Sequence, residues 1–362
     1  LTEALVVSEK IKIKSHKGVY SVNFDNHLLD NAEKILVGES HFLIDANVAR
    51  LYADKLRSVL AHKNTVVIEA TEANKSIDRI IPIFERLVAN NVRRDHTLIA
   101  IGGGIIQDIT CFIASTLLRG LAWSFVPTTL LAQADSCIGS KSSINLGKTK
   151  NIIGTFNPPN EVFVCTVFLD TLENKDIFSG IGEILKVHAI DSATAFDRVA
   201  ADYDHLQSDR SLLRGYILQA LLIKQRFIEV DEFDRGVRNI FNYGHSFGHA
   251  IEAATDFAVP HGIAVSIGMD MANRIAALRG LVHEQHYLRM HPVLRKNYAS
   301  FAKTPISLDD LLSALMKDKK NTSSRLVLIF PVGDNAAIQR EEVSPDEIFR
   351  SQCHQFISEM NA

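Results

Sequence analysis

Histidines gather in one stretch of the chain. Residues 242–252 (NYGHSFGHAIE) contain His245 and His249, and His261 follows after a short loop that contains Pro260. Side chains four residues apart lie on the same face of a helix. Imidazoles gathered in this way, beside an upstream glutamate, are common zinc ligands. The spacing predicts a metal site built on His245 and His249, with ordinary helix histidines as the alternative.

A second polar pair lies in residues 179–186 (SGIGEILK), where Glu183 and Lys186 are three residues apart. On a helix this spacing places both side chains on one face. Apolar residues surround the pair, and a buried carboxylate needs a partner or a metal. A surface salt bridge is the alternative.

A glycine turn, Gly102–Gly104, joins an apolar strand to an apolar helix. Such a turn lets backbone N–H groups approach a pyrophosphate at the helix N-terminus. The segment is not GxGxxG, so the usual dinucleotide fingerprint is absent and a turn without a ligand stays open. Polar residues at other strand ends could contact ribose or adenine: Asp45, Asn47, Glu72 and Lys75.

Lysines and glycines are concentrated between residues 135 and 151. The charged and amide side chains of this run are Asp135, Lys141, Lys148, Lys150 and Asn151. Lysines beside flexible backbone suit a phosphate or a carboxylate. A solvated, charged loop is the alternative.

The elements that must position these groups follow an alternating pattern in the first half of the chain. Apolar runs predict strands at residues 19–24, 42–44, 65–69, 97–101 and 162–168, and helical periodicity covers 47–60 and 77–92, where Pro82 should start or kink the helix. This alternation favours an α/β fold with a mostly parallel sheet. From Leu172 onward the periodicity is mainly helical, so we expect an N-terminal α/β domain over 1–170 and a helical domain over 171–362.

Composition limits the class of protein. The 362 residues are 46% hydrophobic and 22% charged, with a formal net charge of -3, which argues against general nucleic-acid binding. The four cysteines form no CxxC pair, which fits reduced thiols in the cytoplasm. Because there is neither a signal-peptide pattern nor an apolar run of roughly 18 residues, we expect a cytoplasmic protein that does not enter a membrane.

Taken together, the motifs resemble those of the 3-dehydroquinate synthase family, within the sugar-phosphate cyclases. The resemblance extends from about residue 40 to 335 and rests on GGGIIQD, RG…VPTTLLAQADS, GSK…KN, GIGEILK, RNIFNYGHSFGHAIE, HG and DKKN, in this order. It implies NAD and zinc as cofactors, with cobalt as a metal that would also fit, and a homodimer.

The resemblance also implies roles for single residues. It assigns the metal to Glu183, His245 and His261, and it moves His249 from the metal to the substrate. Arg119 would reach the phosphate bound by the neighbouring subunit. The positions that would line NAD are Asp45, Glu72, Lys75, Gly103, Gly104, Asp108, Thr128 and Thr129, to which we add Asn47, Asp135, Lys141 and Lys150. Substrate positions are Asp135, Lys141, Asn151, Lys186, Lys224, Arg238, Asn242 and a lysine of the pair Lys319 and Lys320.

The reaction implied by the resemblance is a cyclisation of a heptulosonate phosphate. It runs through transient oxidation by NAD, phosphate elimination, reduction and an intramolecular aldol closure, so no NADH accumulates. Arg238, Lys224 and Asn242 are retained, which favours the carboxylate-bearing substrate 3-deoxy-D-arabino-heptulosonate 7-phosphate. The alternatives are cyclisation of sedoheptulose 7-phosphate or a related sugar phosphate, and a glycerol-dehydrogenase-like NAD and metal oxidoreductase.

Four positions depart from the family pattern without removing a charged group or a metal ligand. Gln107 and Ser140 stand where glycine is usual, Gly182 stands where alanine is usual, and the pair after Lys186 is Val187-His188. We expect Gln107 to alter packing in the nucleotide turn and Ser140 to shift Lys141.

Overall fold

The computed structural model describes residues 10–35, 38–147, 149–317, 321 and 325–361. The chain forms two compact units. The first comprises the described residues up to Leu172 together with Ile217–Asp234, and the second comprises Glu173–Tyr216 and the described residues from Arg235 onward.

The first unit is organised on a seven-stranded sheet. Its strands are β1 (Lys10–Ser15), β2 (Gly18–Phe24), β3 (Ser40–Asp45), β4 (Thr65–Ile68), β5 (Thr97–Gly102), β6 (Ala122–Pro127) and β9 (Glu161–Val164), in the order β1-β2-β9-β6-β5-β3-β4. Only the β1–β2 pair is antiparallel among these described strands. The predicted α/β class with a mostly parallel sheet is therefore confirmed.

Between β3 and β6 the chain forms four α-helices: α1 (Ala46–Leu51), α2 (Arg57–Leu60), α3 (Ile77–Ala89) and α4 (Gly104–Thr116). The continuous helix expected over 47–60 is wrong, because the chain leaves the helix at Tyr52, whose ring packs against Phe168. Pro82 lies inside α3 and does not start it. Ile80, Ile83 and Leu87 form the buried face of that helix, which contacts β7 (Lys141–Leu146).

The lysine-rich run, for which a solvated, charged loop was the alternative, contains a β-ribbon. Strands β7 (Lys141–Leu146) and β8 (Thr149–Phe156) pair antiparallel, from Lys141 opposite Phe156 to Leu146 opposite Thr149. The ribbon carries Lys141 at the start of β7 and Asn151 in β8; Asn151 has φ of 51° and lies opposite a shift in the strand pairing between Ile144 and Leu146.

The second unit is mainly helical, as predicted. Its elements are α5 (Asn174–Asp191), α6 (Ala193–Asp202), the start of α7 (Arg210–Val230), α8 (His245–Ala254), α9 (His261–Leu278), α10 (Glu284–Asn297), α11 (Leu308–Met316), α12 (Glu347–Asn361) and the ribbon of β10 (Leu326–Val332) and β11 (Ala337–Val343). Every residue of α9 from Gly262 to Asn273 is buried. A helix buried on all sides forms the centre of a domain, and α9 packs against α5, α8 and α10.

Helices α5 and α9 cross at glycines. A Cβ atom on Gly182 would lie 2.7 Å from Ser266 Oγ and 2.8 Å from the carbonyl carbon of Gly262. A Cβ atom on Gly262 would in turn lie 2.7 Å from the carbonyl carbon of Ser179. The two backbones therefore touch, and neither glycine leaves space for a methyl group. We call this contact the glycine crossing.

The thiols of Cys111, Cys137, Cys165 and Cys353 are free and buried. Burial raises the pKa of each thiol, to about 12 for Cys111, Cys137 and Cys353. None of the described helices is both long and apolar enough to cross a lipid bilayer.

Candidate metal and nucleotide sites

Three helices of the second unit bring a carboxylate and two imidazoles together. Glu183 lies within α5, while His245 and His261 are the first residues of α8 and α9. Glu183 Oε1 is 3.4 Å from His261 Nε2 and 3.7 Å from His245 Nε2. Because the glycine crossing lies beside both Glu183 and His261, it sets the separation of these two donors. The three residues that the resemblance assigns to the metal thus face one point.

His249 belongs to the same cluster. Its ring centroid is 5.4 Å from that of His245 and 5.5 Å from that of His261. One ring nitrogen from each of these three histidines lies within 4.8 Å of the others. The structure therefore gathers both candidate ligand sets, the one from spacing and the one from the resemblance. The assignment of His249 to the substrate stays a prediction.

The electrostatics of the cluster suit a cation. Burial, with the charge of Lys186, holds the pKa of His245 well below its usual value, so its imidazole is in the neutral form that binds metals. Burial also acts to lower the pKa of His261, but hydrogen bonds to Glu183 and Glu252 outweigh it and raise that pKa to about 10. The two carboxylates that favour the positive charge of His261 would also favour a metal cation at the same place, and Glu183 with two imidazoles is a donor set that fits zinc.

Substrate candidates of the second unit lie on neighbouring elements. Lys186 is buried, forms an ion pair with Glu183, and its Nζ lies 5.8 Å from the ring centroid of Phe241. Arg238 and Asn242 belong to the 3-10 helix Val237–Asn242, in which Arg238 is buried. Lys319 and Lys320 lie outside the described residues.

The nucleotide candidates of the first unit meet at one edge of the sheet. Asp45 is the last residue of β3, and Gly103 and Thr128 directly follow the carboxyl ends of β5 and β6. From β3 the chain adds β4 on one side of the sheet and then β5 and β6 on the other side. The point between β3 and β5, where the strand order changes direction, is where α/β folds commonly bind nucleotides. A Cβ atom on Gly103 would lie 2.9 Å from Thr129 Cγ2. Gly103 therefore keeps the turn close to Thr129 and precedes the first N–H groups of α4.

Side chains around this edge hold one another in place. Asp45 caps α1 by accepting a 2.8 Å hydrogen bond from the backbone N–H of Asn47. The buried Lys75 donates to Asp108 at 2.8 Å. Burial raises the pKa of Asp108, and the charge of Lys75 opposes that rise. A buried ion pair broken on one side is costly, so this pair fixes the start of α4.

The β-ribbon carries the other amide and lysine candidates. Asn145 donates to Glu72 Oε1 at 2.8 Å and accepts the backbone N–H of Asn151 at 2.9 Å. Lys150 Nζ lies 3.9 Å from Glu72 Oε1. Thus Glu72, Lys150 and Asn151 are brought together through Asn145, although they are far apart in the sequence.

Lys224 and Lys141 are each paired within the first unit. Lys224 Nζ lies 2.5 Å from Asp135 Oδ1 and donates to the Asp135 carbonyl oxygen at 2.6 Å. Lys141 forms an ion pair with Asp234. Exposed Arg119 lies in the left-handed region with φ 68°, between Leu118 and Gly120, which also have positive φ.

The positions that depart from the family pattern have defined partners. Gln107 Nε2 donates to the Ser136 carbonyl oxygen at 2.6 Å, and Ser136 Oγ donates to Gln107 Oε1 at 2.7 Å. These bonds tie α4 to the π-helix Ala132–Ser136, which carries Asp135. Ser140, with φ 65°, donates to Glu232.

Sequence reasoning missed Asp234, Glu232 and Glu252. Glu252 Oε2 lies 3.2 Å from His261 Nδ1, and its position three residues after His249 was a signal that could have indicated it. Asp234 and Glu232 carry no local signal, because their partners lie more than 90 residues away.

Comparison with known proteins decides the family. The family model for the 3-dehydroquinate synthase N-terminal region matches residues 65–179, and the model for the C-terminal region matches residues 180–321. The chain belongs to the 3-dehydroquinate synthase family. A 3-dehydroquinate synthase of Alkaliphilus metalliredigens (strain QYMF) is 32% identical over 346 residues, which cover 94% of this chain and 97% of that protein.

Solved structures of sugar-phosphate cyclases share the fold. A 2-epi-5-epi-valiolone synthase from Streptomyces hygroscopicus subsp. jinggangensis 5008, with NAD+ and Zn2+ bound, has a TM-score of 0.80 at 26% identity, covering 94% of this chain and 96% of that one. A 2-deoxy-scyllo-inosose synthase complexed with carbaglucose-6-phosphate, NAD+ and Co2+ has a TM-score of 0.81 at 22% identity, covering 96% and 99%.

Proposed function

We propose that this chain is a carbon–oxygen lyase that converts 3-deoxy-D-arabino-heptulosonate 7-phosphate into 3-dehydroquinate and phosphate, the ring-forming step of the shikimate pathway. We propose that it requires NAD and zinc, and that cobalt can replace zinc because donor type alone does not separate the two. Family membership and the cofactors bound by the related cyclases support this function.

One observation carries the proposal. Glu183 Oε1 lies within 3.7 Å of both His245 Nε2 and His261 Nε2, in three different helices. One carboxylate and two imidazoles leave coordination positions for substrate oxygens, as a catalytic zinc site requires. We propose Glu183, His245 and His261 as the ligands and His249, whose ring stacks beside His261, as a substrate contact.

When bound, NAD supplies hydride transfer and zinc supplies Lewis-acid polarisation of an oxygen. The chain's own groups would do the rest of the work. We propose that Lys186, Lys224, Arg238 and Asn242 hold the substrate and offset its negative charge, together with Lys141, Asn151 and Lys319 or Lys320. Preorganised cations of this kind stabilise charge that develops during proton removal and phosphate departure.

The nucleotide would bind at the sheet edge of the first unit. We propose that the turn at Gly103 and Gly104 receives the pyrophosphate at the start of α4. The polar positions proposed around the rest of the dinucleotide are Asp45, Asn47, Glu72, Lys75, Asp108, Thr128, Thr129, Asp135, Lys141 and Lys150. The ion pair of Lys75 with Asp108 supports this placement because it restrains the first turns of α4, which directly follow Gly103.

We further propose the division into domains at residues 170 and 171, a homodimer in which Arg119 reaches the neighbour's phosphate, and a cytoplasmic location. The exposed, positive-φ position of Arg119 is consistent with a side chain that acts away from its own unit. Sedimentation analysis of the protein and of Arg119→Ala, with turnover measured on both, tests the shared site. A monomeric wild-type protein with full turnover would exclude it.

The decisive experiment incubates zinc-loaded protein and NAD with 3-deoxy-D-arabino-heptulosonate 7-phosphate. Phosphate and a cyclic product should appear in equal amounts without net NADH. Accumulation of NADH would instead favour a glycerol-dehydrogenase-like oxidoreductase. Turnover of sedoheptulose 7-phosphate alone would favour the other cyclase activity.

Substrate choice can be tested at Arg238. Its guanidinium is the cation that we propose for the substrate carboxylate, so Arg238→Ala should lower kcat/KM for the heptulosonate far more than for sedoheptulose 7-phosphate, which has no carboxylate. Arg198→Ala, at an exposed arginine of α6, is the matched control. Equal losses on both substrates would contradict the carboxylate role.

A further inference from the structure

We infer that Glu252 is a positioning residue for His261: it accepts the Nδ1 proton of that imidazole and so presents Nε2 to the metal. This inference rests on the proposed metal site. It concerns a residue that neither the motif spacing nor the family resemblance assigned to any role.

The position of Glu252 on α8 places it beside the ligand cluster. It follows His245 by seven residues and His249 by three, which puts all three side chains on one helix face. Its Oε2 lies 3.2 Å from His261 Nδ1. The other nitrogen of the same ring, Nε2, lies 3.4 Å from Glu183 Oε1. The two ring nitrogens of His261 therefore face different carboxylates on different helices.

With a metal bound, this arrangement accommodates one tautomer. A neutral imidazole carries one N–H, and an ionised carboxylate only accepts hydrogen bonds. When Nε2 gives its lone pair to a metal on the side of Glu183 and His245, the single ring hydrogen must lie on Nδ1, where Glu252 accepts it. A carboxylate behind a ligating histidine also makes the imidazole a stronger donor. Glu252 thus acts on the orientation and the basicity of His261 together.

His261 is the ligand candidate that most needs such support. Its side chain is 34% exposed, against 14% for His245 and 1% for Glu183. It begins α9 directly after a loop in which Asp256 and Phe257 have φ of 47° and 61°. Packing therefore restrains this ring less than the other two donors. The Glu252 carboxylate, itself only 14% exposed, supplies the restraint.

A purely structural role for Glu252, joining α8 to the start of α9, would change stability without changing how the metal is held. The two roles can be separated with a series of three substitutions. Glu252→Ala removes the acceptor and the charge, Glu252→Gln keeps an acceptor oxygen without the charge, and Glu252→Asp keeps the charge on a shorter arm. Glu347→Gln, at an exposed glutamate of α12, is the matched control.

The experiment measures Zn2+ and Co2+ dissociation constants of the full chain at one fixed pH, by competition with a chromophoric chelator. The absorption spectrum of the Co2+ form and the melting temperature of the metal-free form are recorded in parallel. We expect Glu252→Ala to weaken metal binding by about 10- to 100-fold, as loss of such outer partners does. Glu252→Gln and Glu252→Asp should weaken it less, and the Co2+ spectrum should change in each variant but not in Glu347→Gln.

Metal dissociation constants and Co2+ spectra equal to wild type in both Glu252→Ala and Glu252→Gln would overturn the inference. So would a lower melting temperature of the metal-free form with unchanged metal binding, since that is the structural role. If Glu252→Ala does not fold, the Glu252→Gln and Glu252→Asp measurements decide. A wild-type protein that binds neither metal would instead contradict the proposed metal site, which is a separate failure.

Discussion

The glycine crossing predicts that Gly182→Ala destabilises this chain. The added methyl group would lie 2.8 Å from the carbonyl carbon of Gly262 and 2.7 Å from Ser266 Oγ. Favourable carbon–carbon contacts are at ~3.5–4.0 Å. The two helices must therefore separate by about 1 Å, because the opposing atoms belong largely to backbone that cannot rotate away.

Overpacking of this kind costs about 1–3 kcal/mol, and a clash with backbone belongs near the upper end. We expect Gly182→Ala to lower the free energy of unfolding by ~3 kcal/mol. The same separation moves Glu183 away from His261, since these donors flank Gly182 and Gly262. Metal affinity should fall together with stability.

Urea unfolding of the metal-free protein and chelator competition of the metal-bound protein measure the two effects. Gly215→Ala on α7 is the matched control, because a Cβ atom there meets nothing within 4 Å. Alanine is the better helix former, so the control should be more stable by about 0.5–1 kcal/mol. The reasoning is refuted if Gly182→Ala unfolds at the same urea concentration as wild type and binds metal equally well.

Three further changes have expected outcomes. Burial, with the nearby His96, lowers the pKa of fully buried His41 from 6.5 to about 4. The folded state therefore binds fewer protons than the unfolded state between these two pKa values. The free energy of unfolding should fall by about 2 kcal/mol as the pH is lowered from 7 to 5. Urea titrations at both pH values test this, and His41→Leu should show a smaller loss; an equal loss would count against it. Gln107→Gly should remove two hydrogen bonds to Ser136 and so loosen the π-helix that carries Asp135. The KM for the sugar phosphate should rise; an unchanged KM would show that these hydrogen bonds are not needed to position Asp135. Chelation of the metal should lower the melting temperature in proportion to the logarithm of free zinc, and a melting temperature independent of zinc would argue against a bound metal.

Much of the fold follows from local pattern. The run at 97–101 predicted β5, and the helical periodicity at 77–92 predicted α3, because apolar spacing alone determines which face is buried. The expected helix at 47–60 was interrupted for a reason that spacing does not contain. The hydroxyl of Tyr52 lies 3.0 Å from the Val167 carbonyl oxygen and 3.0 Å from Thr171 Oγ1, which are more than 100 residues away in the chain.

The candidate site, like the fold, was only partly predictable from local spacing. The i, i+4 spacing of His245 and His249 predicted a histidine cluster, and the structure places both in one. Spacing could not bring in Glu183, because its approach depends on two helices that touch at Gly182 and Gly262. The family resemblance supplied it. The pairing of Lys141 with Asp234 had neither a local pattern nor a matched motif to reveal it, since it depends on the return of the chain to the first unit.

The buried thiols provide an intrinsic probe of opening. Cys111, Cys137 and Cys165 lie in the first unit and Cys353 in the second. Since only an exposed thiolate reacts quickly with alkylating reagents, labelling of the native protein must wait for local or global unfolding. Mass spectrometry of the labelled peptides would therefore time the opening of each unit separately, in the unmodified protein.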